Sequence, residues 1–133
     1  MVEQNPFGLH TVTPYLIVED VKRLILFFQE VFAGELRGDI HYRDDGSIKH
    51  AEIVIGDSVI MMGSPMESIG SMSTTLYIYV PNCDQTYELA LTKGATSISP
   101  PENFPHGDRY GGIKDPTGNN FWVVTHQGDK NKT

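Results

Sequence analysis

Cysteine occurs once in the 133 residues, at Cys83, so no disulfide can form within the chain. Positive charge is also scarce. Ten Lys and Arg stand against 17 Asp and Glu, a formal net charge of -7, and binding to phosphate needs the opposite balance. Nucleic acid and anionic membrane surfaces are therefore excluded as expected partners. A cationic or neutral small organic ligand fits the charge better. No apolar run approaches the roughly 20 residues that cross a bilayer, and MVEQNPFGLH lacks the basic-then-apolar order of a secretory signal. The expectation is a cytoplasmic protein with no membrane association. No segment is compositionally biased, and only the tail GDKNKT reads as a frayed end.

What is present is regular periodicity. An alternating stretch at 13–18 leads to Asp20, a residue suited to cap a helix. Val21, Leu24, Ile25, Phe28, Val31 and Phe32 then recur at the spacing of one buried helical face, and Gly34 is expected to end that helix. Strands are expected at 35–42, 48–55 and 58–62, turned by Asp44-Asp45-Gly46-Ser47 and Gly56-Asp57. The same order returns after residue 73. A strand at 75–80 precedes a helix capped by Asn82, reaching about Lys93 and ended by Gly94; extended pieces follow at 96–99, 109–114 and 120–125. Asp115-Pro116-Thr117-Gly118 makes the last turn. The fold class is α+β, one domain over 10–126: module one at 10–62, a Gly-, Ser- and Met-rich linker at 63–73, module two at 74–126, and a tail at 127–133.

The segments HTVTPYLIVED, KHAEIVIGDSVIMM, TLYIYVPNCD and GDRYGGIKDPTGNNFWVVTH resemble, in order and over nearly the whole chain, the vicinal oxygen chelate superfamily of glyoxalases, bleomycin resistance proteins and ring-cleaving dioxygenases. Their wording is most similar to the PhnB-like branch. The resemblance implies two βαβββ modules forming a cupped, half-open mixed sheet around a cavity, and a homodimer as the expected assembly. It also implies metal ligands on the first and last strands of each module, which by position are Thr13, Met61, Thr75 and Trp122. A neutral hydroxyl, a thioether and an indole are poor donors for a divalent ion. No metal and no other cofactor is expected.

Strand alternation sorts the side chains, because the helix-packed face should be the apolar one. Leu16, Val18, Ala51, Ile53, Ile55, Leu76, Ile78, Val80, Phe121 and Val123 fall on that face. Thr13, Tyr15, Ile17, Thr75, Tyr77, Tyr79, Trp122, Val124 and His126, with His50, Glu52 and Val54, fall on the cup face. Aromatic rings with polar tips suit a planar or cationic organic ligand, and equally suit a strand-rich core or a dimer interface. His50 and Glu52, two apart on a strand, point the same way; they read either as a general acid and base or as a structural pair. With His126 they also read as a displaced metal site. Arg109 could grip a carboxylate or phosphonate, or pair with an acid on the surface. Met66 and Met72 could form a mobile lid or merely connect the modules, and Cys83 reads as structural.

The expectations are thus a glyoxalase/bleomycin-resistance-like protein that binds a small molecule without metal, or an enzyme, an isomerase or lyase acting on a small oxygenated metabolite through His50 and Glu52.

Overall fold

A computed structural model of the chain describes residues 6–128. The frayed tail expected from the sequence lies, beyond Gly128, outside the described residues. A single 3-10 turn, Pro6–Gly8, precedes β1 (Tyr15–Ile17) and α1 (Val21–Phe32). The Asp20 side chain accepts from the Arg23 amide at 3.0 Å, which caps the first turn of α1. Its apolar stripe buries Val21, Leu24, Ile25, Phe28, Val31 and Phe32 as expected, and Phe27 as well. The helix ends one residue earlier than Gly34, because Ala33 itself takes the left-handed conformation.

Module one continues through β2 (Glu35–Leu36), β3 (His41–Tyr42), β4 (Ile48–Ile55) and β5 (Ser58–Gly63). The strand expected at 35–42 is broken in two, since both short pieces pair with β4 and the chain between them leaves the ladder. The sheet runs β1-β5-β4-β2, with β1 parallel to β5. Module two comprises β6 (Thr75–Tyr79), α2 (Cys83–Thr92), β7 (Thr96–Asn103), β8 (Asp108–Lys114) and β9 (Asn120–His126), in the order β6-β9-β8-β7. Asn82 caps α2 by accepting from the Gln85 amide, and Gly94, at φ +100°, makes the left-handed exit. The β7 strand is longer than expected and runs through Pro100 and Pro101 with register shifts against β8, as befits prolines on an edge strand. Among the described residues no helix is long and apolar enough to cross a membrane.

One hydrophobic core serves both modules. Leu16, Ala51, Ile53 and Met62 enter it from the first sheet, Ile78, Ile113, Phe121 and Val123 from the second, with the apolar faces of both helices. Phe121 lies 5.5 to 6.2 Å, ring to ring, from Phe27, Phe28 and Phe32, so α1 packs on the sheet of the other module. Lys93 pairs with Glu30 and the Arg23 guanidinium donates to the Lys93 carbonyl, tying the end of α2 to α1. Because each sheet turns one face into this shared core, the remaining face of each lies on its far side.

Candidate functional site

The far face of module one is ionic. Tyr15, Met61 and Glu52 are cross-strand neighbours on β1, β5 and β4, and the Arg37 amide donates to the Glu52 carbonyl beside them. Glu52 is bound on both oxygens: Arg37 Nη1 donates to Oε1 at 2.6 Å, and His50 Nε2 lies 2.7 Å from Oε2. Arg37 also reaches the Phe7 carbonyl. The remaining ring nitrogen of His50 meets the Tyr15 hydroxyl at 3.1 Å, and that hydroxyl is also 3.2 Å from the Lys49 carbonyl. Burial works against the Glu52 charge, but the hydrogen bonds from His50 and Arg37 outweigh it and hold the carboxyl below the usual range. An open groove of about 620 Å³, lined by Phe7, Leu9, Arg37, His41, His50, Glu52 and Met61 among others, lies over this face.

The far face of module two is aromatic. Register places Tyr77 beside Trp122, which in turn faces Gly112, and Tyr79 beside Val124, which faces Tyr110, with His126 opposite Asp108. Tyr77 packs edge-on against Tyr79 and Tyr110, Tyr110 against Trp122, and Phe104 stacks on Tyr110 at 4.0 Å. A Cβ at Gly112 would fall 2.4 Å from the Trp122 ring, so only glycine leaves room for the indole on the strand. Beneath these rings lies Asp108, 4% exposed. Tyr77 donates to its Oδ2 at 2.6 Å and Tyr79 to the same atom at 3.2 Å, while His126 Nδ1 lies 2.7 Å from Oδ1. His106 stands 3.4 Å away. Hydrogen bonds from Tyr77 and His126 outweigh the desolvation of Asp108 and keep it below the usual carboxylate range. Desolvation, then this carboxylate, push the Tyr77 and Tyr79 phenols upward.

The alternation read from the sequence thus places most residues on the faces expected. Tyr15, His50 and Glu52 gather in module one; Tyr77, Tyr79, Trp122 and His126 gather in module two. Thr13 is half-buried just before β1, and Thr75 is exposed at the start of β6. Ile17 and Val124 are buried rather than presented. Arg109 does not join the aromatic face: it points to the opposite side of β8, where its guanidinium makes two 2.8 Å bonds to Asp84 at the start of α2. Asp108, Arg37 and Tyr110 are the residues that sequence reasoning missed. Counting outward from the turn between Lys114 and Asn120 would have paired Asp108 with His126 and put Tyr110 on the same face.

The ligand positions implied by the resemblance do not make a metal-binding set. Met61 offers a thioether opposite Tyr15, and at Trp122 an indole lies across Gly112 where a ligating carboxylate would have to stand. Among the described residues no three His, Cys, Asp or Glu side chains are placed to hold a metal ion, and His50, Glu52 and His126 do not converge. His50 and Glu52 bind each other instead. A further cavity, about 440 Å³, follows β6 between the modules and is lined by Phe32, Ile55, Ile60 and residues 76–81.

Residues 8–123 match the family model of the glyoxalase/bleomycin resistance protein/dioxygenase superfamily, and the chain belongs to that superfamily. An uncharacterised protein of Mycobacterium bovis is 27% identical over 121 residues, covering 83% of this chain and 79% of its own. Among solved structures, TioX from Micromonospora sp. ML1 superposes with a TM-score of 0.69 at 20% identity, covering 86% of this chain and 94% of TioX. A PhnB protein from Bacillus cereus gives 0.66 at 15% identity, covering 87% and 99%. A superfamily member from Sphaerobacter thermophilus gives 0.67 at 21% identity, covering 89% and 96%. At these identities the structures speak for the fold alone.

Proposed function

We propose that this chain is a cytoplasmic small-molecule binding protein of the PhnB-like kind, working without a divalent metal and as a homodimer. The observation that carries the reading is the exposed aromatic shelf of module two, with Tyr77 at 44% and Tyr79 at 60% exposure around a buried carboxylate. Large rings left in contact with solvent on a single face, with polar tips oriented by Asp108, match a planar or cationic organic ligand. Since the far faces of the two sheets lie away from their common core, a second copy would be needed to close the hollow. Binding is favoured over catalysis because Glu52 is ionised with both oxygens occupied, and both ring nitrogens of His50 are engaged.

The chain has one tryptophan, Trp122, and it lies on the shelf. Its emission should shift or quench when planar aromatic compounds are titrated in. Emission that no compound in a set of both charges moves, even at millimolar concentration, would sink the binding reading. Stoichiometric zinc, nickel, iron or manganese in the purified protein would sink metal independence, and a monomer in sedimentation velocity at working concentration would sink the dimer.

A further inference from the structure

The hydrogen atoms around Asp108 can be assigned by donor and acceptor accounting, and the assignment fixes what the aromatic shelf shows to a ligand. An ionised carboxylate only accepts. Its three near partners must therefore each turn a hydrogen inward: Tyr77 at 2.6 Å, Tyr79 at 3.2 Å and His126 Nδ1 at 2.7 Å. A phenol has one hydrogen and a neutral imidazole one N–H. Once these point at Asp108, what faces outward is a lone pair on each phenol oxygen and, on the neutral ring, the bare Nε2 of His126, whose side chain is 54% exposed. Against these acceptors the shelf sets the Trp122 indole N–H as a fixed side-chain donor, while the Tyr110 hydroxyl and the His106 ring, 3.4 Å from Asp108, can each present a hydrogen or a lone pair. The ring faces are electron-rich, and a buried negative charge lies beneath them.

Resting on the binding reading above, we infer that this face selects planar cations carrying several N–H donors, such as amidinium, guanidinium or protonated aromatic amine groups, and rejects carboxylates. Asp108 is the positioning residue that sets this polarity without touching the ligand.

Two measurements test it. In long-range proton–nitrogen correlation spectra at mildly alkaline pH, neutral His126 should carry its proton on Nδ1; a proton on Nε2 overturns the inference whatever binds. In titrations followed by Trp122 emission, benzamidine should bind at least about tenfold more tightly than benzoate, which has the same ring and only acceptors, and than phenyltrimethylammonium, which has the charge and no N–H. Benzoate binding as well as benzamidine overturns the inference and leaves the parent reading standing. Phenyltrimethylammonium matching benzamidine overturns the donor requirement. Binding by none of the three overturns the parent reading and this selectivity together. Asp108→Asn supplies an amide that donates as well as accepts, so at least one partner must reverse; the benzamidine preference should collapse, and its persistence overturns the role given to Asp108. Should that variant not fold, Tyr79→Phe removes one outward acceptor at an exposed position and should weaken benzamidine several-fold while leaving benzoate unchanged; an unchanged benzamidine affinity counts against the inference.

Discussion

Two modules built on one strand plan carry opposite chemistry on their far faces. Where β4 of module one sets Glu52 beside Met61, β8 of module two sets Gly112 beside Trp122. The first choice gives a short chain of charge and hydrogen bonds, Arg37 to Glu52 to His50 to Tyr15, in which each member is occupied by the next. The second gives an open shelf of rings over a single buried carboxylate. The repeat therefore transmits the ladder and the core, while the presented surface depends on which one or two positions carry a small residue. A carboxylate can stand on a strand without special room, whereas an indole lying flat across its neighbour cannot.

The comparison is broken most strongly by unseating the core on which both faces hang. Phe121→Ala removes a ring buried among Phe27, Phe28 and Phe32 and should cost about 3 to 5 kcal/mol in denaturant unfolding, in one transition reported alike by probes in either module. Two separated transitions would show that the modules are independent. Next in size, Trp122→Ala should weaken benzamidine by about tenfold or more, read by calorimetry, while Met61→Ala at the matching place in module one changes it by less than about threefold. Comparable losses would erase the distinction between the faces.

Smaller effects sharpen the ionic side. Glu52→Gln should lower stability by about 1 kcal/mol at pH 7. The sign follows from a folded-state pKa held below the ordinary value of 4.5: the stabilisation is present above that value and is lost as pH falls through the folded one. Variant and parent should therefore converge in strongly acidic urea melts, and a gap that stays constant down to pH 3 would remove Glu52's charge from the account. Smallest of all, Glu30→Gln at the exposed pair with Lys93 should change stability by less than about 0.5 kcal/mol, and by less still in high salt.

Much of this was legible before any coordinates. Asp20 and Asn82 announce the two helix starts, the Asp115 to Gly118 turn announces the last hairpin, and alternation separates Tyr77 and Tyr79 from Leu76 and Ile78. Such signals are local, written in caps, turns and periods of two. What stayed hidden depends on pairing between distant segments. Arg109 drew attention for donors that could grip a carboxylate or phosphonate, yet a one-residue difference in facing makes Asp108 the hub and Arg109 a partner of Asp84. Arg37 was concealed because the strand expected at 35–42 breaks beside it, and only the pairing with β4 brings its side chain to Glu52. Nor does any local pattern say that α1 would rest against Phe121 rather than against its own module alone.

The Tyr15 hydroxyl owns one hydrogen and has two places to put it. With His50 neutral and bonded through Nε2–H to Glu52, the phenol donates to the open Nδ1; with both ring nitrogens protonated, the phenol swings its hydrogen to the Lys49 carbonyl and accepts from Nδ1 instead. A rotation about one C–O bond thus lets a single hydrogen serve either partner with no heavy atom displaced.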